Sequence, residues 1–159
     1  MLKKIYLDTA IPSYATCRLR HDDHKINFFI NSTLYFWENM RQKFNLFVSS
    51  YVLQECANGD YAAAQRRIYF LDGISTIPAS DQIDELAIKH LELLGLSKKA
   101  KMDCSHLAAS VDYQMDYLLS WNLKHYSIFT YSKILNCNEK HGLMTPLLLT
   151  PATLIEISQ

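Results

Sequence analysis

Hydrophobic positions recur along the chain with two different spacings. Ile26, Phe29, Ile30, Leu34, Trp37, Met40 and Phe44 recur in steps of one, three or four with no glycine or proline between them, which predicts a long amphipathic helix over 26–44. Short β-prone runs stand elsewhere, at 4–7, 46–49, 74–77, 117–120 and 147–150. Turn or helix-start residues follow them: Asp8-Thr9 with Ile11-Pro12 after the first, Pro78 after the third and Pro151 after the last. Helical stretches fill the intervals. One covers 51–57 and closes at Asn58-Gly59, another runs from Asp60 to about Leu71, and a third over 80–94 stops at Gly95. Two more run from about Lys101 to Gln114 and onward from Pro151. Strands alternating with helices, through connections too long for hairpins, predict an α/β chain with a parallel sheet of four to five strands, covered on both faces.

Composition narrows the class. Hydrophobic residues make up 49% and charged residues 20%, ordinary for a globular chain and far from the regime of disorder. With 159 residues and no repeat or linker, a single domain over 1–159 is expected. Sixteen basic residues balance sixteen acidic ones, so bulk charge alone does not hold this chain to a polyanion. Cys17, Cys56, Cys104 and Cys137 form no CxxC or Cys/His pattern, which argues against zinc and against a disulfide scaffold. The N-terminal apolar run is too short for a signal peptide, and no run approaches the roughly 18 apolar residues of a membrane span. A soluble, cytoplasmic protein with reduced thiols and no membrane contact is the expectation.

In an open parallel sheet, ligands gather at the carboxyl ends of the strands. That rule selects Asp8 after the first strand, Glu55 one turn into the helix after the second, Asp103 near a helix start, and Asn122 after the fourth. Carboxylates brought together raise one another's pKa unless a cation neutralises them, and hard oxygen donors suit Mg2+ or Mn2+. Each acid also has a structural reading: Asp8 as a turn cap, Asp103 as a complement to a helix dipole, Glu55 as an exposed helix-face residue. Glu55 has no Ser or Thr three residues earlier to form a capping box, and it is the only acid in 44–59. Asp116 stands six residues before Asn122, about 20 Å along an extended strand, and so belongs at the opposite edge of the sheet. His106, three residues after Asp103, shares its helical face and is read either as a general base or as packing.

Four segments taken in order resemble the motifs of PIN-domain ribonucleases, with VapC-type toxins of bacterial and archaeal toxin–antitoxin pairs as the nearest group. They are Ile5-Tyr6-Leu7-Asp8-Thr9, Val52-Leu53-Gln54-Glu55, Asp103-Cys104-Ser105-His106-Leu107-Ala108-Ala109 and Asp116-Tyr117-Leu118-Leu119-Ser120-Trp121-Asn122. Thr145-Pro146 and the later Thr150-Pro151-Ala152-Thr153-Leu154 resemble the family's final strand and turn, so the likeness runs from Lys4 to about Ile155. The resemblance implies a three-layer α/β/α fold and metal-dependent endoribonuclease activity. Asp8, Glu55 and Asp103 would bind magnesium or manganese, Thr9 would stand beside the first acid, and Ser120 would line the pocket. It also implies a toxin with an RNA substrate and an antitoxin partner, acting as a homodimer.

The sequence departs from the pattern at Asn122, where many members carry aspartate. Losing that charge should weaken a second metal more than the first. A PIN fold that binds RNA or protein without cleaving is therefore the rival reading. A nucleotide-binding α/β domain is disfavoured because no glycine-rich loop follows a strand. Arg18, Arg20, Lys98, Lys99 and Lys101 are candidate RNA contacts; the lysines read equally as a polar connection, and the mixed run 18–25 reads more readily as a solvated charged loop than as a metal or RNA-contact loop. Phe28, Phe29, Tyr35, Phe36 and Trp37 cover more than one face of the long helix, which leaves internal burial and a protein interface both open.

Overall fold

A computed structural model describes residues 1–123 and 128–159. Five parallel strands form one sheet in the order β3-β2-β1-β4-β5: β1 Lys4–Leu7, β2 Asn45–Ser49, β3 Ser75–Ile77, β4 Tyr117–Leu119 and β5 Leu147–Leu149. The central strand β1 pairs Ile5 with Leu46 on one side and with Tyr117 on the other. Ile5, Tyr6 and Leu7 are fully buried, as expected for a strand covered on both faces.

The helices are α1 Ala10–Ala15, α2 His24–Asn39, α3 Ser50–Cys56, α4 Tyr61–Phe70, α5 Asp81–Leu94, α6 Lys101–Asp112, α7 Ile128–Lys140 and α8 Pro151–Ile157. One set, α1, α2, α4 and α8, packs together, and α5 packs against α6 and α7, giving the three-layer α/β/α arrangement. From β1 the chain winds outward through β2 and β3, then returns to the other side of β1 for β4 and β5. The winding reverses between β1 and β4, and such a switch point opens a crevice at the carboxyl ends of the two strands.

The expected caps set the helix starts. Ser80 Oγ accepts from Ile83 N–H, Asp60 Oδ1 from Ala63 N–H, and Thr150 Oγ1 from Thr153 N–H. Gly95 ends α5 in the left-handed region at φ 62, where a Cβ would be strained.

Three features differ from the periodicity reading. The long helix ends at Asn39, not Phe44; a short 3-10 turn at Arg41–Lys43 follows and Phe44 is already extended. Helix up to Phe44 would leave no residue to turn the chain into β2, which opens at Asn45 with a bond to Lys3 O at 2.9 Å. The Ile11-Pro12 segment is a helix, because Pro12 falls in the first turn of α1, where a missing N–H costs nothing. Helix α7 had no counterpart in the sequence reading.

The aromatic excess on α2 divides. Phe36 is buried, Trp37 packs against Phe70 in a tilted contact with centroids 4.0 Å apart, and Phe29 stacks on Trp121 at 4.1 Å. Phe28 and Tyr35 remain about half exposed. All four cysteines are free thiols, and among the described residues no helix is long and apolar enough to cross a membrane.

Candidate active site

Asp8 leaves the end of β1 and is only 8% exposed. Its backbone N–H donates to Leu119 O at 3.2 Å, which prolongs the β1–β4 pairing and fixes where the side chain starts. Oδ1 accepts from Ala10 N–H at 3.0 Å, and Oδ2 accepts from the Ser120 hydroxyl. Ser120 Oγ in turn accepts from Asn122 N–H at 2.8 Å, and Asn122 Nδ2 lies 3.4 Å from Asp103 Oδ1 in the first turn of α6. A continuous file of polar groups thus joins the two aspartates across the switch point.

Burial pushes the Asp8 carboxyl up to about 6, against the opposing pull of His106 and of the Ser120 and Ala10 hydrogen bonds. The Asp103 charge raises it further, so the two carboxylates are electrostatically coupled.

Glu55 reaches the same end from α3, whose start is set by Ser49 capping Val52 N–H. Its Oε1 accepts from Thr9 Oγ1 and from His106 Nε2, the latter at 2.6 Å. Burial alone would raise this carboxyl; the His106 and Thr9 contacts outweigh it and hold the group below the ordinary glutamate value. His106 itself is 3% exposed on α6, and its Nδ1 lies 2.8 Å from Tyr6 Oη. Both ring nitrogens are therefore engaged within the protein, an arrangement that supports Glu55 and offers no ring nitrogen to a substrate as general base. The i, i+3 step from Asp103 puts His106 on the same face of α6, but nothing local in the sequence marks Glu55 as its partner. Tyr6 gives no signal either, standing inside a buried strand run.

The remaining candidates are spread more widely. Lys98 and Lys99 lie in a 3-10 turn, and with Lys101 they line a pocket of about 440 Å3 together with Tyr51, Gln54, Asp84, Met102 and Ser105. Gln54 and Met102 are the chain neighbours of Glu55 and Asp103, but none of the candidate site acids lines this pocket. Arg18 and Arg20 are exposed in the loop between α1 and α2, where Asn27 fixes the Arg20 backbone through bonds of 2.8 and 2.6 Å. Among the described residues neither arginine makes an ion pair with a site acid. In the rest of the 18–25 run, Asp23 caps α2 through Ile26 N–H, and His21 and Asp22 pair in solvent. Asp116 accepts from Lys4 N–H and Lys3 Nζ, both at 2.8 Å, at the amino edge of the sheet.

Among the described residues, no three His, Cys, Asp or Glu side chains gather closely enough to form a metal group. What the crevice provides is a coupled aspartate pair with the Asn122 amide between them. Few carboxylates supplemented by water and substrate oxygens is a donor set that suits a hard divalent ion and not zinc.

No family model and no curated protein sequence matches the chain. Solved structures do. VapBC2 from Rickettsia felis, bound to a DNA fragment from its promoter, aligns at TM-score 0.59 and 19% identity, over 92% of this chain and 98% of that one. VapC20 of Mycobacterium tuberculosis, described as a Sarcin-Ricin loop cleaving toxin, gives 0.57 and 15% over 76% of this chain and 92% of that one. VapBC-1 from nontypeable Haemophilus influenzae gives 0.56 and 12% over 94% and 98%. The chain has a PIN-like fold of the VapC type, with Asp8, Glu55, Asp103 and Asn122 at the carboxyl edge of its sheet.

Proposed function

We propose that the protein is a metal-dependent endoribonuclease and the toxin of a type II toxin–antitoxin module. The observation that carries this reading is the coupled pair Asp8 and Asp103, linked through Ser120 and Asn122 at the switch point, with Asp8 buried and its carboxyl raised to about 6. An acid pair with one member buried is a poor resting arrangement for the protein alone and a good one for a cation.

In this reading Asp8 and Asp103 are the main holders of Mg2+ or Mn2+. When bound, the ion supplies Lewis acidity to a water and to the scissile phosphate. Ser120 and the Ala10 N–H keep the Asp8 oxygens in place. Glu55, gripped at Oε1 by Thr9 and His106, serves as a further ligand or orients the attacking water. Asn122 hydrogen-bonds a water or a phosphate oxygen. Hydrolysis would leave a 5′-phosphate and a 3′-hydroxyl, as the resemblance implies. Lys98, Lys99 and Lys101 hold RNA phosphates from the pocket they line, and Arg18 and Arg20 are further candidates for the same task.

Two of the structural neighbours are VapBC structures, which supports an antitoxin as partner here. The half-exposed Phe28 and Tyr35 on α2 are compatible with such a partner or with a second copy in a homodimer. The rival, a PIN fold that binds RNA or protein without cleaving, draws on Asn122 and on the lack of a third gathered acid among the described residues. Incubation of the purified protein with RNA and magnesium or manganese separates the readings. Metal-dependent cleavage that is lost in Asp8→Ala and Asp103→Ala supports the nuclease; activity unchanged in either variant sinks it.

A further inference from the structure

Behind Glu55 runs a buried line of hydrogen bonds that the proposed chemistry does not use directly. Val52 N–H donates to Ser49 Oγ at 3.3 Å, Ser49 Oγ lies 2.6 Å from Tyr6 Oη, Tyr6 Oη lies 2.8 Å from His106 Nδ1, and His106 Nε2 lies 2.6 Å from Glu55 Oε1. Ser49 and Tyr6 are 0% exposed and His106 3%, so bulk water does not stand in for a missing partner.

The donors and acceptors along this line assign themselves. A carboxylate only accepts, so His106 Nε2 must donate to Glu55. At the other end Ser49 Oγ already accepts from Val52 N–H, and its own proton has Tyr6 Oη as its acceptor among the described residues. Tyr6 Oη, accepting from Ser49, then spends its proton on His106 Nδ1, which must accept. The reverse order, with a proton on Nδ1, drives the Tyr6 proton toward Ser49 and strands the Ser49 proton in a dry interior.

We infer that Tyr6 and Ser49 are positioning residues: they hold His106 as its Nε2–H tautomer, and through it fix Glu55 Oε1 so that Oε2 is presented to the reaction. The Glu55 part rests on the nuclease reading; the hydrogen-bond direction does not. Oε1 is engaged by two donors, whereas Oε2 has no hydrogen bond among the described residues. Fixing a ring tautomer from the far nitrogen is how imidazoles are commonly oriented behind acidic and metal sites.

The test uses the full chain labelled with 15N-histidine, free of metal, at neutral pH. Long-range proton–nitrogen spectra report the tautomer of each ring, and the His106 signals among the six histidines are identified by their loss in His106→Leu. The expected result is the Nε2–H tautomer in the native protein. In Tyr6→Phe, which keeps the ring and removes the hydroxyl, Glu55 still demands the proton on Nε2 but Nδ1 loses its donor, so the Nδ1 signal moves toward that of an unbonded acceptor nitrogen, and kcat for RNA cleavage falls about tenfold while KM stays within about twofold. His106→Gln, which keeps a donor near the Nε2 position, recovers part of the rate lost in His106→Leu. Ser49→Ala breaks the same line at its far end and serves if Tyr6→Phe does not fold. A native His106 protonated on Nδ1 or on both nitrogens overturns the inference even if the protein cleaves RNA, and so does a Tyr6→Phe protein with an unchanged Nδ1 signal and unchanged kcat. A protein with the expected tautomer that cleaves no RNA overturns the positioning role together with the nuclease reading.

Discussion

Asn122 Nδ2 lies 3.4 Å from Asp103 Oδ1, while its backbone N–H reaches Ser120 Oγ at 2.8 Å, so one residue ties the first turn of α6 to the hydroxyl that holds Asp8. The neutral amide adds a donor to the acid pair without adding a third negative charge. Replacement by alanine should lower metal-dependent cleavage about tenfold with little change in fold, as outer contacts of metal sites commonly do. Asn122→Asp should lower the manganese concentration needed for half-maximal rate and reduce the melting temperature of the metal-free protein, because three carboxylates then share the crevice. A titration of rate against manganese, paired with thermal melts, checks both directions.

Asp8 should make the metal-free protein less stable as pH rises. Its carboxyl titrates at about 6 when folded against an ordinary value of 3.8, so the folded state binds more protons than the unfolded state between those values. The penalty grows across that window and is complete above pH 6, on the order of 3 kcal/mol as an upper figure. Asp8→Asn removes the buried charge and should raise the metal-free melting temperature by several degrees at pH 7.5, with the advantage gone near pH 4. Added manganese should stabilise the native protein and not this variant.

The site residues at strand ends are legible in the sequence because strand ends are. Asp8, Glu55 and Asn122 each follow a short β-prone run, and a parallel sheet sends those ends to one edge. What joins the acids was less legible. The Ser120 contact to Asp8 spans 112 residues and the His106 contact to Glu55 spans 51, and no local periodicity encodes partners that distant. Tyr6 shows the same limit: on a fully buried strand an aromatic reads as core, and its hydroxyl matters only once Ser49 and His106 are placed beside it. Helix α1 is not legible in the sequence because a proline reads as a breaker, although in a first turn Pro12 has no bond to break.

Lys98, Lys99 and Lys101 should govern binding more than chemistry. With no net charge on the chain, phosphate contacts have to be local. Each lysine replaced by alanine should flatten the dependence of log Kd for single-stranded RNA on log salt by about 0.7, and the triple variant should raise KM with a smaller effect on kcat. Filter binding across a salt series, without divalent metal, measures the slope.

Trp121 anchors the segment that carries Asn122. Its Nε1 donates to Thr33 Oγ1 at 2.8 Å and its ring stacks on Phe29, tying the end of β4 to α2. Trp121→Phe should cost about 1 kcal/mol through the lost hydrogen bond, and Trp121→Ala about 3 kcal/mol or more through the vacated volume. Urea unfolding of the metal-free protein resolves the two.

The most direct test of the account is the cleavage of RNA by purified protein with magnesium or manganese, compared with Asp8→Asn and Asp103→Ala preparations that melt cooperatively. The account predicts metal-dependent cleavage by the native chain and a loss of at least about 100-fold in both variants. Equal cleavage by native and variant proteins, or none by the native chain at any divalent concentration, would contradict it.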